Sequence, residues 1–152
     1  MTDGHVVQLE VRIDARPDLV FRYLTEAERY ARWQGVRAEL DPRPGGIYRV
    51  NVTGRDIARG EYVEINPYSK VVFTWGWEGD NHPIPPGSST VEVTFQPDGD
   101  GTLVRLRHYN LPTDEDRGRH AEGWDHYLPR LQAAATGTGA GPDPWTSPTA
   151  IP

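Results

Sequence analysis

The sequence predicts an α+β domain in which a curved antiparallel sheet of about seven strands wraps around one long C-terminal helix, with two short helices after the first strand. Three observations predict it. Apolar residues recur at spacings of three and four in one early stretch, Pro17–Trp33. From about Gly35 to Tyr109 the chain reads as short alternating segments joined by turn signals. A single further amphipathic run follows Pro112.

Residues 6–14 alternate in part and form the opening strand. Pro17 suits a first helical turn, and Asp14 or Asp18 can cap or charge the helix start. Leu19, Val20, Tyr23, Leu24, Ala27, Tyr30, Ala31 and Trp33 make the apolar face. Thr25 followed by Glu28 resembles a capping box and divides this stretch into two helices near Leu24–Thr25. Pro44-Gly45-Gly46 and Asn66-Pro67-Tyr68-Ser69 are turns, and residues 97–101 read as a hairpin turn. Short connections imply an antiparallel meander. Glu78–Ser89, with three prolines and two glycines, is a long loop. Thr113 and Asp116 start the last helix as a weak capping box, and Pro129 is expected to kink it. The domain is expected to span residues 1–134. The Gly/Pro-rich segment 135–152 is expected to be a flexible extension in which Trp145 and Ile151 are the only large apolar groups, with Trp145 the one that could dock back on the domain.

Composition limits the function. There is no cysteine, which excludes disulfides and thiolate chemistry. The formal net charge is −6 and basic residues are spread along the chain, which disfavours nucleic acid and anionic membranes. No run of the sequence approaches a membrane span and the first residues carry no signal-peptide pattern, so a cytoplasmic protein is expected. Five Trp and seven Tyr against three Phe is an aromatic set rich in rings with a polar handle.

Strand parity aims many of these rings inward. Tyr48, Val50 and Val52 share a face, as do Val71, Phe73, Trp75 and Trp77, then Val91, Val93 and Phe95, then Val104, Leu106 and His108. The strand through Gly60–Ile65 is ambiguous, because Tyr62 and Glu64 alternate with Val63 and Ile65. On the last helix His120, Trp124, Tyr127, Leu128 and Leu131 fall on one side. Rings of this kind fill a core or bound a cavity with a few polar handles. The expected ligand-binding set is Trp33, Tyr48, Trp75, Trp77, Phe95, Trp124 and Tyr127 as walls, with His108 and His120 orienting a polar group. No histidine pair has metal-ligand spacing, so no metal and no cofactor are expected, and His82 is expected in solvent.

The segments ARPDLVFRYLTEAERYARW, PGGIYRV, GEYVEINPYSKVVFTW, VEVTFQPDGDGTLVRLRHYNLP and HAEGWDHYLPRL occur in an order that resembles homologues of the heat-shock protein 90 ATPase activator, C-terminal domain type. That family belongs to the START-like, helix-grip (SRPBCC) superfamily, which includes the birch pollen allergen. The resemblance covers about residues 6–134. It implies a cavity between the sheet and the C-terminal helix that takes a small hydrophobic molecule. Gly123-Trp124 and the His108 of RHYNLP match family positions, and pocket lining is what the resemblance implies for them. Three functions follow in order. The first is binding of a small hydrophobic or aromatic molecule. The second is a cyclase- or hydrolase-type enzyme using His108 or His120 as acid or base. The third is a co-chaperone that stimulates a heat-shock protein ATPase. A monomer and a homodimer are both compatible with the sequence.

Overall fold

A computed structural model describes residues 5–80 and 82–146. Strand β1 (His5–Ile13) is followed by helices α1 (Pro17–Thr25) and α2 (Ala27–Tyr30). Strands β2 (Arg37–Leu40), β3 (Ile47–Asn51), β4 (Ile57–Asn66), β5 (Lys70–Trp75), β6 (Ser89–Asp98) and β7 (Gly101–Leu111) come next, then helix α3 (Asp114–Ala135). The seven strands form one curved sheet in the order β1-β7-β6-β5-β4-β3-β2. Every neighbouring pair is antiparallel. β1 therefore lies beside β7 and not beside β2, because α1 and α2 carry the chain across to the far edge.

α3 packs on β1 and β7, and α1 on β6, β7 and α3. Val7, Val20, Leu24, Val93, Leu106, Leu128 and Leu131 belong to the single apolar core they enclose. Each large apolar side chain buried in this way stabilises the fold by ~1.5–3 kcal/mol. Thr113 caps α3 as expected, accepting the Asp116 N–H at 3.0 Å and donating to the Asp116 carboxylate at 2.8 Å. The helix runs on through Pro129, whose missing N–H lies on an exposed face.

The Thr25–Glu28 capping box does not form. Thr25 ends α1 and donates back to the Phe21 carbonyl at 3.1 Å, and the residue at the start of α2 is an extended Glu26 with no side-chain cap. α1 likewise starts from Arg16 without a side-chain cap, on Pro17, with Asp18 in its first turn. A register shift between Tyr62 and Glu64 accounts for the ambiguous parity of β4. Tyr62 is buried and Val63 is exposed at 51%. Gly60 sits where β5 presses closest, and a Cβ there would come within 1.9 Å of the Thr74 carbonyl oxygen. The loop after β5 is pinned at its middle: Ile84 is buried and its carbonyl accepts the Trp77 N–H at 2.7 Å.

Candidate functional site

The inward faces of β5, β7 and α3 meet at one end of the sheet. β5 alternates Val71, Phe73 and Trp75 into the interior and then releases Trp77, which is half-buried. β7 brings in His108, and α3 brings in Asp116, His120, Trp124 and Tyr127 at helical spacing. Trp75 is the hub. Its ring centroid lies 5.2 Å from Trp77, 5.3 Å from Trp124 and 5.7 Å from His108.

Hydrogen bonds fix the two imidazoles in opposite tautomers. Trp124 donates its indole N–H to Nδ1 of His108 at 3.0 Å. Nε2 of His108 must then carry the proton, which it donates to the Ser89 hydroxyl at 2.8 Å, and Ser89 donates on to the Trp75 carbonyl at 2.8 Å. Trp77 donates to Nε2 of His120 at 3.2 Å, so the proton of His120 is on Nδ1, directed to the Asp116 carbonyl at 2.8 Å. The rings stand edge to face with centroids 4.9 Å apart. Burial pushes the His108 imidazole well below its ordinary value, and the neighbouring His120 adds to this. His120 is lowered too, first by burial, against an opposing pull from Asp116. The bonds seal His108 at both nitrogens. His120 can take a proton from an occupant only by giving up the Trp77 bond.

Between α3 and the ends of β3 and β5 lies a cavity of about 300 Å³. Trp75, Trp77, His120, Trp124 and Tyr127 of the expected set line it. The other four do not. Trp33 is buried beside Tyr30 and donates to the Tyr23 carbonyl at 2.9 Å. Tyr48 stacks on Phe73 at 4.0 Å, and Phe95 packs edge-on against Phe21 at 5.6 Å. His108 is fully buried, bonded to Ser89 and Trp124.

The lining also includes residues outside the expected set. Asp116 and Gly123 follow from helical spacing around His120, and Arg119 from its spacing of three after Asp116 and four before Gly123. Thr53 and Asp56 come from the turn between β3 and β4, where the Thr53 hydroxyl donates to the Asp56 carboxylate at 2.9 Å. His82 is exposed, and it also stacks on Trp77 with centroids 5.9 Å apart. Gln34 and Val52 complete the floor, and Trp145 arrives from beyond α3. No periodicity brings a turn or a distant loop to a cavity mouth.

Two lining residues hold buried polar groups without a well-formed hydrogen bond: Nε1 of Trp75, and the hydroxyl of Tyr127, whose neighbour is the Asp143 carboxylate. Burial raises the Tyr127 phenol above its ordinary value, and the nearby Asp143 carboxylate raises it further. Among the described residues no group of three or more His, Asp or Glu is placed to hold a metal ion. Among the same residues no helix is long and apolar enough to cross a membrane.

The same arrangement of sheet and helix is found in solved structures. An AHSA1-like protein from Rhizobium etli is 43% identical, over 97% of this chain and 94% of that one, with a TM-score of 0.72. CalU16 from Micromonospora echinospora is 26% identical over 91% of this chain and 77% of that one, with a TM-score of 0.72. An HSP90 activator from Plasmodium falciparum, at 23% identity over 88% of this chain and 97% of that one, shares the fold with a TM-score of 0.71. No functionally curated protein matches the chain. With its residues 14–136 matched by the family model described as Activator of Hsp90 ATPase homolog 1-like protein, the chain belongs to that family.

Proposed function

We propose that this protein binds a small hydrophobic or aromatic molecule carrying a hydrogen-bond acceptor, in the cavity between α3 and the sheet. The observation that carries the reading is the unpartnered donor Trp75 Nε1, on a residue of an otherwise ring-lined wall. Leaving such a group buried and unpaired costs ~1–3 kcal/mol, and an acceptor on an occupant removes that cost. An apolar cavity of roughly 150 Å³ takes benzene. About 300 Å³ therefore has room for a molecule of two fused or linked rings.

The test is a series of two-ring probes, 2-naphthol, quinolone and naphthalene, titrated while the indole N–H resonances are followed. Acceptor-bearing probes should move the Trp75 and Trp77 signals saturably, and quinolone should bind more tightly than naphthalene. Resonances unmoved by all three probes would remove the binding reading.

A further inference from the structure

We propose that the segment after α3, residues 136–146, is a built wall of the cavity, and that Trp145 sets the size of molecule the cavity admits. This rests on the binding reading above. Composition alone marks the segment as a loose extension, yet its contacts with α3 are specific. Arg130 donates from Nη1 to the Ala140 carbonyl at 3.2 Å, from Nη2 to the Gly141 carbonyl at 2.9 Å, and from Nε to the Trp33 carbonyl at 3.1 Å. One guanidinium thus ties the segment, α3 and the end of the α2 region together. Gly137, Gly139 and Gly141 all have positive φ, at 87°, 79° and 72°, a backbone path that other residues resist.

The second tie is Asp143, whose side chain is only 5% exposed. Its Oδ1 accepts the Trp145 N–H at 2.9 Å and pairs with Nε2 of His126 at 2.8 Å. This sets the Trp145 indole parallel to the His126 ring, 3.8 Å away at an interplanar angle of 7°, and edge-on to Tyr127 at 5.7 Å. Trp145 is 42% exposed and also lines the cavity, so one side faces water and another faces the site. That is the position of a wall and not of a core residue. The family model stops at residue 136, whereas the match to the Rhizobium etli protein covers 97% of the chain and so cannot stop there. The wall therefore lies beyond the stretch the family model matches, and a wall there lets a common cavity acquire its own selectivity.

The test uses the full chain and two probes of one chemistry, 1-anilinonaphthalene-8-sulfonate and its covalent dimer. Affinities are read for wild type, Trp145→Ala and Asp143→Ala from the Trp75 and Trp77 indole resonances. The stacked indole should also hold the His126 ring protons upfield in wild type, and Trp145→Ala should release them. Removing the wall should shift the dimer-to-monomer affinity ratio by at least roughly tenfold towards the dimer, with Asp143→Ala moving it the same way. An unchanged ratio in both variants overturns the proposal, and so do His126 resonances that ignore the substitution. If neither probe binds any of the three proteins while the His126 shift is present, it is the binding reading that fails, and the selectivity assigned to Trp145 falls with it.

Discussion

The interior holds two aromatic clusters that differ in one respect. Towards α1 and α2, Tyr30, Trp33, Tyr48, Tyr62 and Phe73 interlock. Tyr48 stacks on Phe73, stands edge-on to Tyr62 at 6.0 Å, and its hydroxyl pairs with that of Tyr30. Every polar head there is taken: Tyr30 donates to Gln34, Tyr62 to the Leu24 carbonyl and Trp33 to the Tyr23 carbonyl. Towards the far end of α3, Trp75, Trp77, His120, Trp124 and Tyr127 are just as rich in rings, but they surround a space and leave Trp75 Nε1 unsatisfied. Ring content is therefore not what distinguishes a site from a core in this fold. What distinguishes them is whether the polar handles are already spoken for.

The largest expected effect separates the clusters by stability. Phe73 is fully buried with rings on both sides, so Phe73→Ala should cost ~3–5 kcal/mol. Trp77 borders the cavity and is half-buried, so Trp77→Ala should cost about half that or less, despite deleting the larger ring. Guanidinium denaturation midpoints measure both. Equal costs would mean that the space beneath α3 closes up in solution.

Acid should strike the open cluster and the His108 bonded to its Trp124, and spare the closed one. Burial pushes the phenols of Tyr30, Tyr48 and Tyr62 upward, away from the acid range. The imidazoles of His108 and His120 are instead pushed down. Below about pH 6.5 the unfolded chain takes up protons on these two histidines while the folded chain does not. Stability must then fall as pH falls, by ~1.4 kcal/mol per pH unit for each histidine still neutral in the fold, until the native values are reached. Glu78, held below its ordinary range by its hydrogen bond to Arg49, loses its contribution only at lower pH. Denaturation at pH 7 and pH 5.5 should show the decline, and His108→Gln should remove about half of its slope. A slope unchanged by that substitution would assign the decline to other groups.

The sequence made the architecture legible because it depends on patterns with a period. Inward parity on β3, β5, β6 and β7 is followed residue by residue, from Tyr48 and Val50 to Leu106 and His108. The site was half legible. Parity says that Tyr48 and Phe95 face inward like Trp75, but not how far along the sheet the packing closes. That depends on partners such as Phe21 and Tyr30, which α1 and α2 supply from elsewhere in the chain. Trp145 and His82 lie on segments with no period at all, and their place on the cavity is decided by Arg130, Asp143 and the Trp77 ring. The expected cap at Thr25 failed for a related reason. A hydroxyl at a helix junction can bond forwards or backwards, and Thr25 bonds back to Phe21.

The smallest expected effect is the sharpest, because it makes one chemical change in both clusters. Tyr48→Phe removes a hydroxyl that donates to Tyr30, whose own proton goes to Gln34, so the change should cost ~1 kcal/mol and leave probe binding alone. Tyr127→Phe removes a buried hydroxyl that has the Asp143 carboxylate beside it but no well-formed hydrogen bond. It should cost less than Tyr48→Phe, since no well-formed hydrogen bond is lost. The same substitution should weaken quinolone, which can accept from that hydroxyl, and leave naphthalene unchanged. Denaturation and probe titration on the two variants give four numbers. If Tyr127→Phe destabilised the fold as much as Tyr48→Phe, with no loss of affinity, the Tyr127 hydroxyl would be a satisfied core group, and the open cluster would be only a looser version of the closed one.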